Sequence, residues 1–422
     1  MIADTPTPDL VTETVQQAYQ AALRLEMVPS RDRNAGVLAL AEGLEQAFDE
    51  ILEANTLDLE ASREMAVPEL IQDWLKLTPG RLERAVKFLE VLAQVADPIQ
   101  TVQSAPYQLN SAPTYCQLMP LGTIALIYEA FPELGIMAAG LCLKTGNSLV
   151  LRGSPEGSHS NDAIAAVIRQ ALTDTELPSG AVSILPSDRS ASIQKLVAQA
   201  QYLNLIIPYG RPNLTQQVME LATAPVLKTA IGNCYLYWSE SGKVDLVREM
   251  IFESWDGEPD AVNALEKVLI SNLVKSSFLS RLFGNLRERG WTLRGEADLV
   301  ADFPDYLEPI QNADEWSQPY LSKTIAFKMA DGLQAAISWI NQHSSGHADG
   351  IVTESYQESR LFAREIDSAL VYINASPRFS RYIEGSENVF LGISSQKGYR
   401  RGPIGMATLT TLKQVIQSDR EC

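Results

Sequence analysis

The chain predicts an α/β protein: a doubly wound unit of the nucleotide-binding type, followed by a second α/β unit. Three observations predict it. The first hundred residues carry apolar positions at helical spacing. From Gly122, short apolar segments alternate with helical stretches of ten or more residues. Near Thr229 the same alternation starts afresh. Strands that read as nearly continuous apolar runs, separated by helices, belong to parallel sheets covered on both faces, with right-handed crossovers.

The elements follow in order. Val37, Leu40, Leu44, Phe48 and Ile51 recur at helical spacing. Thr78 before Pro79 is a helix start, because the hydroxyl caps the first turn and proline sits where no amide bond is lost. Leu82, Val86, Leu89 and Leu92 give that helix its apolar stripe. TIALIY reads as a strand, followed by a helix through Met137 and Leu141. SLVLR is the next strand, with a helix from about Ala163 to Leu172. AVSIL and LNLII are further strands flanking a helix from Ile193 to Ala200. In the second unit CYLYW, KVLIS, TIAFKM, GIVT and ALVYIN read as strands. Val244, Val247 and Ile251 share one face of a helix between the first two.

Composition excludes several function classes. The chain has 422 residues, ordinary for two or three domains. It is 45% hydrophobic and 20% charged, as folded proteins are. A net charge of −18 disfavours nucleic acid and anionic membrane surfaces as partners. No signal peptide and no membrane span is readable. Cys116, Cys142, Cys234 and Cys422 have no paired spacing, so a reduced, cytoplasmic protein is expected and not a disulfide frame. No second His or Cys stands near HADG at ligand spacing, so no metal site is expected. No G-x-G-x-x-G follows any strand, and RGSPEG alone reads as a polar loop.

Residues 258–270, EPDAVNALEKVLI, are similar to the RPxxCNxxETLLV motif of the γ-glutamyl phosphate reductases, a branch of the aldehyde dehydrogenase superfamily. LTPGRLERAVKFLEVLAQVADPI, PLGTIALIYEAFPE, LCLKTGNSLVLRG, SGHADGIVTE, REIDSALVYINASPRF and GISSQKGYRRGPIGMATLTTLK resemble other segments of that family, in its order. The resemblance implies an aldehyde dehydrogenase-like fold in three parts. Residues 1–104 and 119–228 would form the nucleotide-binding domain, 229–396 a catalytic-type domain, and 105–118 with 397–422 a small oligomerisation element. It implies NADPH-dependent reduction of L-glutamate 5-phosphate to the semialdehyde in proline synthesis, through a thioester on a cysteine. It also implies a homo-oligomer, most simply a dimer.

Against that pattern the departures carry the information. Val262 stands where the family has the nucleophilic Cys, and an isopropyl group cannot attack an acyl carbon. Glu133 stands at the oxyanion-hole Asn, where catalysis needs a donor. Phe131 and Glu258 replace arginines; Tyr209 and Arg211 alter an IPRGG segment; Pro319 falls where relatives present an acidic group to ribose; Phe390 replaces a Glu. A like-charge pair at about 5–6 Å and an effective dielectric near 20 costs roughly 3 kcal/mol before screening, so Glu133 and Glu258 in the cleft would remove most affinity for an acyl phosphate. The bland alternative is that both carboxylates face water.

Resemblance assigns Arg152, Gly153, Ser154 and Gly210 to NADP(H), with binding expected to be weak or lost. Asn263, Glu266, His347, Asn374, Ser376 and Arg378 are the substrate-cleft candidates. Cys142 and Cys234 read as buried hydrophobes and His159 as a cap or surface residue. Cys116 and Cys422 have no neighbouring base. His347 beside Ser344, Ser345 and Asp349 suggests a triad on paper, but sequence neighbours rarely form one. The expectation is a catalytically degenerate copy acting as a binding or regulatory paralogue, able to associate with an active one. The alternatives are a working reductase of altered mechanism and a scaffold for another metabolite.

Overall fold

The computed structural model describes residues 9–105, 114–187, 192–257, 259–383, 388–398 and 400–417. Two compact units result. The first runs to Lys228 and takes back Arg381–Leu391 and the chain from Pro403; the second is Thr229–Ser380 with Gly392–Gly402. Residues 381–391 therefore pack with the first unit, whereas the sequence reading had placed them in the run 229–396.

The first unit opens with helices α1 (Leu10–Leu25), α2 (Ser30–Gln46), α3 (Phe48–Glu64), α4 (Glu69–Leu75) and α5 (Pro79–Gln94). The Thr78 hydroxyl accepts from the Arg81 amide and Pro79 is the first helical residue, as the cap signal predicts. Leu40, Leu44, Leu82, Leu89 and Leu92 are fully buried. Strands β1 (Val102–Ser104) and β2 (Thr114–Pro120) follow, then β3 (Thr123–Tyr128), α6 (Glu133–Lys144), β4 (Ser148–Arg152), α7 (Ser158–Asp174), β5 (Val182–Ile184), α8 (Ile193–Val197), β6 (Leu205–Tyr209) and α9 (Pro212–Leu221). The helix expected over 193–200 stops at Val197.

A four-stranded sheet in the order β5-β4-β3-β6 forms from these, parallel throughout. Each of its strands hands the chain to a helix, so the N-termini of α6, α7 and α9 gather at the sheet's carboxyl edge. That edge is where doubly wound domains hold ligands.

In the second unit β7 (Cys234–Trp238), α10 (Val244–Glu253), β8 (Leu265–Ser271), α11 (Ser276–Glu288), β9 (Thr292–Gly295), α12 (Ala297–Asp302), β10 (Glu308–Pro309), β11 (Thr324–Ala330), α13 (Gly332–His343), β12 (Ala348–Val352), α14 (Tyr356–Glu365) and β13 (Leu370–Ile373) succeed one another. Its seven-stranded sheet has the order β10-β9-β11-β8-β7-β12-β13 and is parallel throughout. Strands β9 and β10 escaped the sequence reading: β10 is two residues long and β9 ends on glycine, so neither shows an apolar run. Leu236, Val268, Ile270 and Phe327 of the central strands are fully buried under α10 and α11.

β14 (Ile393–Ser394), β15 (Gly402–Pro403) and β16 (Thr410–Ile416) complete the chain. β16 pairs antiparallel with β2 over seven residues, and β1 lies on the other side of β2. Of the segments expected to form an oligomerisation element, residues 114–118 lie in β2 and 410–416 in β16, whereas 400–402 pack with the second unit; Tyr107 and Leu109 lie outside the described residues. Among the described residues β16 is an edge strand of this three-stranded sheet, with Leu412 and Ile416 about half exposed. Among the described residues no helix is long and apolar enough to cross a membrane.

Candidate functional site

The carboxyl edge of the four-stranded sheet is built around the turn after β3. Ala130 and Phe131 both hold positive φ, 56° and 48°. Neither is glycine, and two such residues in a row are strained backbone. Packing holds the turn. The Phe131 ring lies 4.8 Å from Trp74 and 5.9 Å, edge-on, from Tyr209. The Ser154 hydroxyl accepts from the Ala130 amide at 3.2 Å. Tyr209 in turn accepts a hydrogen bond from Arg381 at 2.9 Å. Phe131 is thus buried in an aromatic pile.

Glu133, the first residue of α6, is 5% exposed. Its Oε1 accepts from Arg81 Nε at 2.8 Å and Nη2 at 2.5 Å, while Arg81 Nη1 donates to the carbonyls of Trp74 and Lys76. The naked carboxylate expected at position 133 is thus neutralised by a guanidinium from α5, and the like-charge penalty assigned to it falls away. Arg81 was missed in sequence, although a cation in the first turn of a helix opposes the macrodipole and signals a buried partner. Glu258 lies outside the described residues.

The nucleotide candidates are committed to their own backbone. Arg152 donates to the carbonyls of Gly153 and Ser187. A Cβ at Gly153 would meet Asn161 Nδ2 at 2.3 Å, and one at Gly210 would meet Glu129 Cβ at 2.7 Å. Asn161 also accepts the Tyr128 hydroxyl at 2.9 Å.

In the second unit the candidates gather at the amino edges of β7, β8 and β12. Val262 is fully buried, and Ala261 before it holds φ at 41°. The Val262 carbonyl accepts from the Gly232 amide at 3.0 Å and from His347 Nε2 at 2.8 Å. Asn263 donates to Pro377 O at 2.8 Å and to the Tyr372 hydroxyl at 3.1 Å. Glu266 collects the amides of Asn233 at 2.9 Å and of Tyr320 and Leu321 at 2.8 Å each. It thereby ties the loop that carries Pro319 to β8, and Pro319 Cβ lies 3.1 Å from where a Gly232 Cβ would stand. Burial raises the Glu266 pKa above the usual carboxylate range.

Four of the six cleft candidates belong to this assembly or touch it: Asn263, Glu266, His347 and, beside Pro377 and close to Gly257, the exposed Arg378. The Ser376 hydroxyl accepts from the Arg378 amide. Asn374 is elsewhere. Its side chain clamps both backbone groups of Thr353 at the carboxyl ends of β12 and β13.

Cys234 Sγ lies 3.3 Å from His347 Nε2, the arrangement of a nucleophile and its base. The chemistry runs the other way. A carbonyl can only accept, so the Nε2 that faces Val262 already carries the proton and cannot take one from sulfur. His347 is held neutral by burial, its pKa pushed down to about 4. Burial, then Asp349 and Glu266, push the Cys234 thiol well above its ordinary pKa. Cys116, Cys142 and Cys234 are free and buried, and burial also raises Cys142; Cys422 is outside the described residues. His159 is a surface residue whose amide is capped by Asp58. Among the described residues no group of His, Cys, Asp and Glu forms a metal site.

Asp349 holds the same loop from inside. It accepts from the Tyr235 amide at 2.7 Å, from Ser344 and from Ser368, and burial raises its pKa to about 7. Two buried groups two residues apart thus titrate against each other. Asp349, raised above its unfolded value near 3.9, makes stability fall as pH rises from about 4 to 7. His347, depressed below its unfolded value near 6.5, makes stability rise from about pH 4 to 6.5. Each amounts to about 3–4 kcal/mol at most. Relative to wild type, Asp349→Asn is expected to gain stability from pH 4.5 to 7 and His347→Gln to lose it. Melting temperatures across that range read both signs; variants that track wild type would refute the assignment.

Comparison with known proteins places the chain. The aldehyde dehydrogenase family model matches residues 3–282. The chain is 51% identical over 419 residues, 99% of each chain, to Gamma-glutamyl phosphate reductase 2 of Synechocystis sp.. It is 38% identical to Gamma-glutamyl phosphate reductase of Gloeobacter violaceus, with 96% of each chain covered. The crystal structure of Gamma-glutamyl phosphate reductase from Thermotoga maritima superposes with a TM-score of 0.87 at 33% identity, covering 98% of this chain and all of that one. A propionaldehyde dehydrogenase of Clostridium phytofermentans, at 16% identity and TM-score 0.71, shares the fold. The chain belongs to the γ-glutamyl phosphate reductase branch of the aldehyde dehydrogenase family.

Proposed function

We propose that this member of the family keeps the branch's fold and ligand loop but does not form the γ-glutamyl thioester, and serves as a binding or regulatory paralogue. The observation that carries the reading is Val262, fully buried at the nucleophile position of the matching motif. No described thiol replaces it: each is buried, and Cys234 lacks a base. Arg378, exposed and next to the Pro377 carbonyl that Asn263 holds, is suited to a ligand carboxylate or phosphate.

A second reading is a working reductase of altered mechanism, and the comparisons favour it: 51% identity over almost the whole length joins this chain to a protein named as a reductase. The two part at one experiment. Glutamate semialdehyde, phosphate and NADP⁺ are supplied to purified protein, and NADPH formation is followed. The proposed reading expects a rate equal to the no-protein blank. Turnover abolished by replacing a single cysteine would establish the second reading and name its nucleophile.

A further inference from the structure

Helix N-termini at the carboxyl edge of a doubly wound sheet are ready-made anion sites, because amides there lack partners and the dipole favours negative charge. Three helices of this edge begin beside the strand ends, and a carboxylate of the chain itself stands at each. At α7, Asp58 reaches from α3 and takes the His159 amide at 2.9 Å, the Ser160 amide at 2.8 Å and the Ser160 hydroxyl at 2.6 Å. At α9, Glu129 accepts from the amide of the capping residue Arg211 at 3.0 Å, and Pro212 at the first helical position has no N–H. At α6, Glu133 occupies the first turn, pinned by Arg81.

The two glycines available for close approach of a dinucleotide backbone are covered too. Glu129 packs over Gly210 and Asn161 over Gly153, each nearer than a Cβ would tolerate. What keeps Glu129 there is Arg211, whose guanidinium grips the carboxylate at 3.0 and 2.5 Å. Arg211 and Glu133 are two of the positions at which this chain departs from the motifs it otherwise matches. NADP(H), which the family implies, does not fit this edge as it stands.

We infer that the edge is self-occupied: the Arg211–Glu129 clamp, with Asp58 and Glu133, holds carboxylates where a dinucleotide pyrophosphate would bind, and so discriminates against NADP(H). Arg211 is the specificity-determining residue, since its guanidinium fixes Glu129 over both Gly210 and the start of α9. A pyrophosphate would have to displace Glu129 from both the Arg211 guanidinium and the start of α9, while Asp58 already holds the first amides of α7 and the Arg81-paired Glu133 fills the first turn of α6.

The inference rests on the family reading only for the choice of NADPH as probe. The full chain, Glu129→Gln, and Arg211→Gly combined with Glu129→Gln are titrated with NADPH, and separately with inorganic pyrophosphate, by calorimetry. Wild type is expected to bind NADPH no tighter than about 1 mM, the weak end of ordinary enzyme ligands. The double variant is expected to gain at least about tenfold for both probes. Glu129→Gln keeps the shape and serves alone where melting shows the double variant unfolded, with a gain of a few-fold. Micromolar binding by wild type, or variants no tighter than wild type, would overturn the inference. Neither result depends on turnover, so a failure here leaves the thioester question untouched, and the reverse.

Discussion

Arg81→Ala is expected to destabilise the first unit by about 3–5 kcal/mol, the usual result of stranding one partner of a buried ion pair. The pair is well inside, with side chains 5% and 7% exposed. Arg81 makes four hydrogen bonds at once, two to Glu133 and two to the carbonyls that end α4. Removing it leaves a bare carboxylate at the start of α6 and opens the α4–α5 connection. Glu133→Asn strands the guanidinium and should cost nearly as much. Arg81→Leu with Glu133→Leu removes both charges and should cost far less than the sum of the singles, because buried pairs replaced by apolar residues of similar volume are often neutral. Chemical denaturation of wild type, Arg81→Leu, Glu133→Leu and the double variant reads the cycle. Additive losses would show that the two side chains act independently and that the pair does not hold the turn.

Val262→Cys is expected to leave the protein inactive. The new thiol would sit where Val262 is fully buried, under a backbone gripped by His347 and Gly232. Burial favours the thiol over the thiolate, and each unit of raised pKa removes about nine-tenths of the nucleophile at neutral pH. His347 offers no rescue, since its Nε2 proton points at the Val262 carbonyl and its pKa lies at about 4. The family resemblance gives position 133 an oxyanion donor, and the loss of such a donor typically costs a factor of about 100–1000. Glu133→Asn cannot simply be added, because Arg81 would lose its partner. A restored site needs Arg81 replaced as well, beside Phe131→Arg and Glu258→Arg. The check is semialdehyde turnover together with the rate of thiol alkylation. Rapid alkylation and ordinary reductase rates from the single substitution would show that only the nucleophile had been lost.

Much of the fold was legible because its signals are local. Thr78 and Pro79 announce α5, and the apolar runs TIALIY, LNLII and CYLYW become buried parallel strands. β10 and β9 carry no such run and were missed. The structure brings Val262, Asn263, Glu266 and His347 together at the amino edges of β7, β8 and β12. What surrounds a site position is not legible in the sequence. Glu133 was read as a free charge because its neutralising partner is 52 residues away in sequence. The contact of Asn374, whose amide bonds Thr353 across two strand ends, has no local signature either. Asp58, Asn161 and Glu129 act through contacts between elements, and no local pattern marks them.

The claim that this chain has no thioester step is tested most directly by trapping the adduct itself. Wild-type protein is mixed with glutamate semialdehyde and NADP⁺ in the absence of phosphate, quenched in acid and weighed intact, with peptide mapping of every cysteine. The account predicts the unmodified mass and free thiols at Cys116, Cys142, Cys234 and Cys422. A γ-glutamyl mass increment on any one of them, lost when that cysteine is replaced, would contradict it.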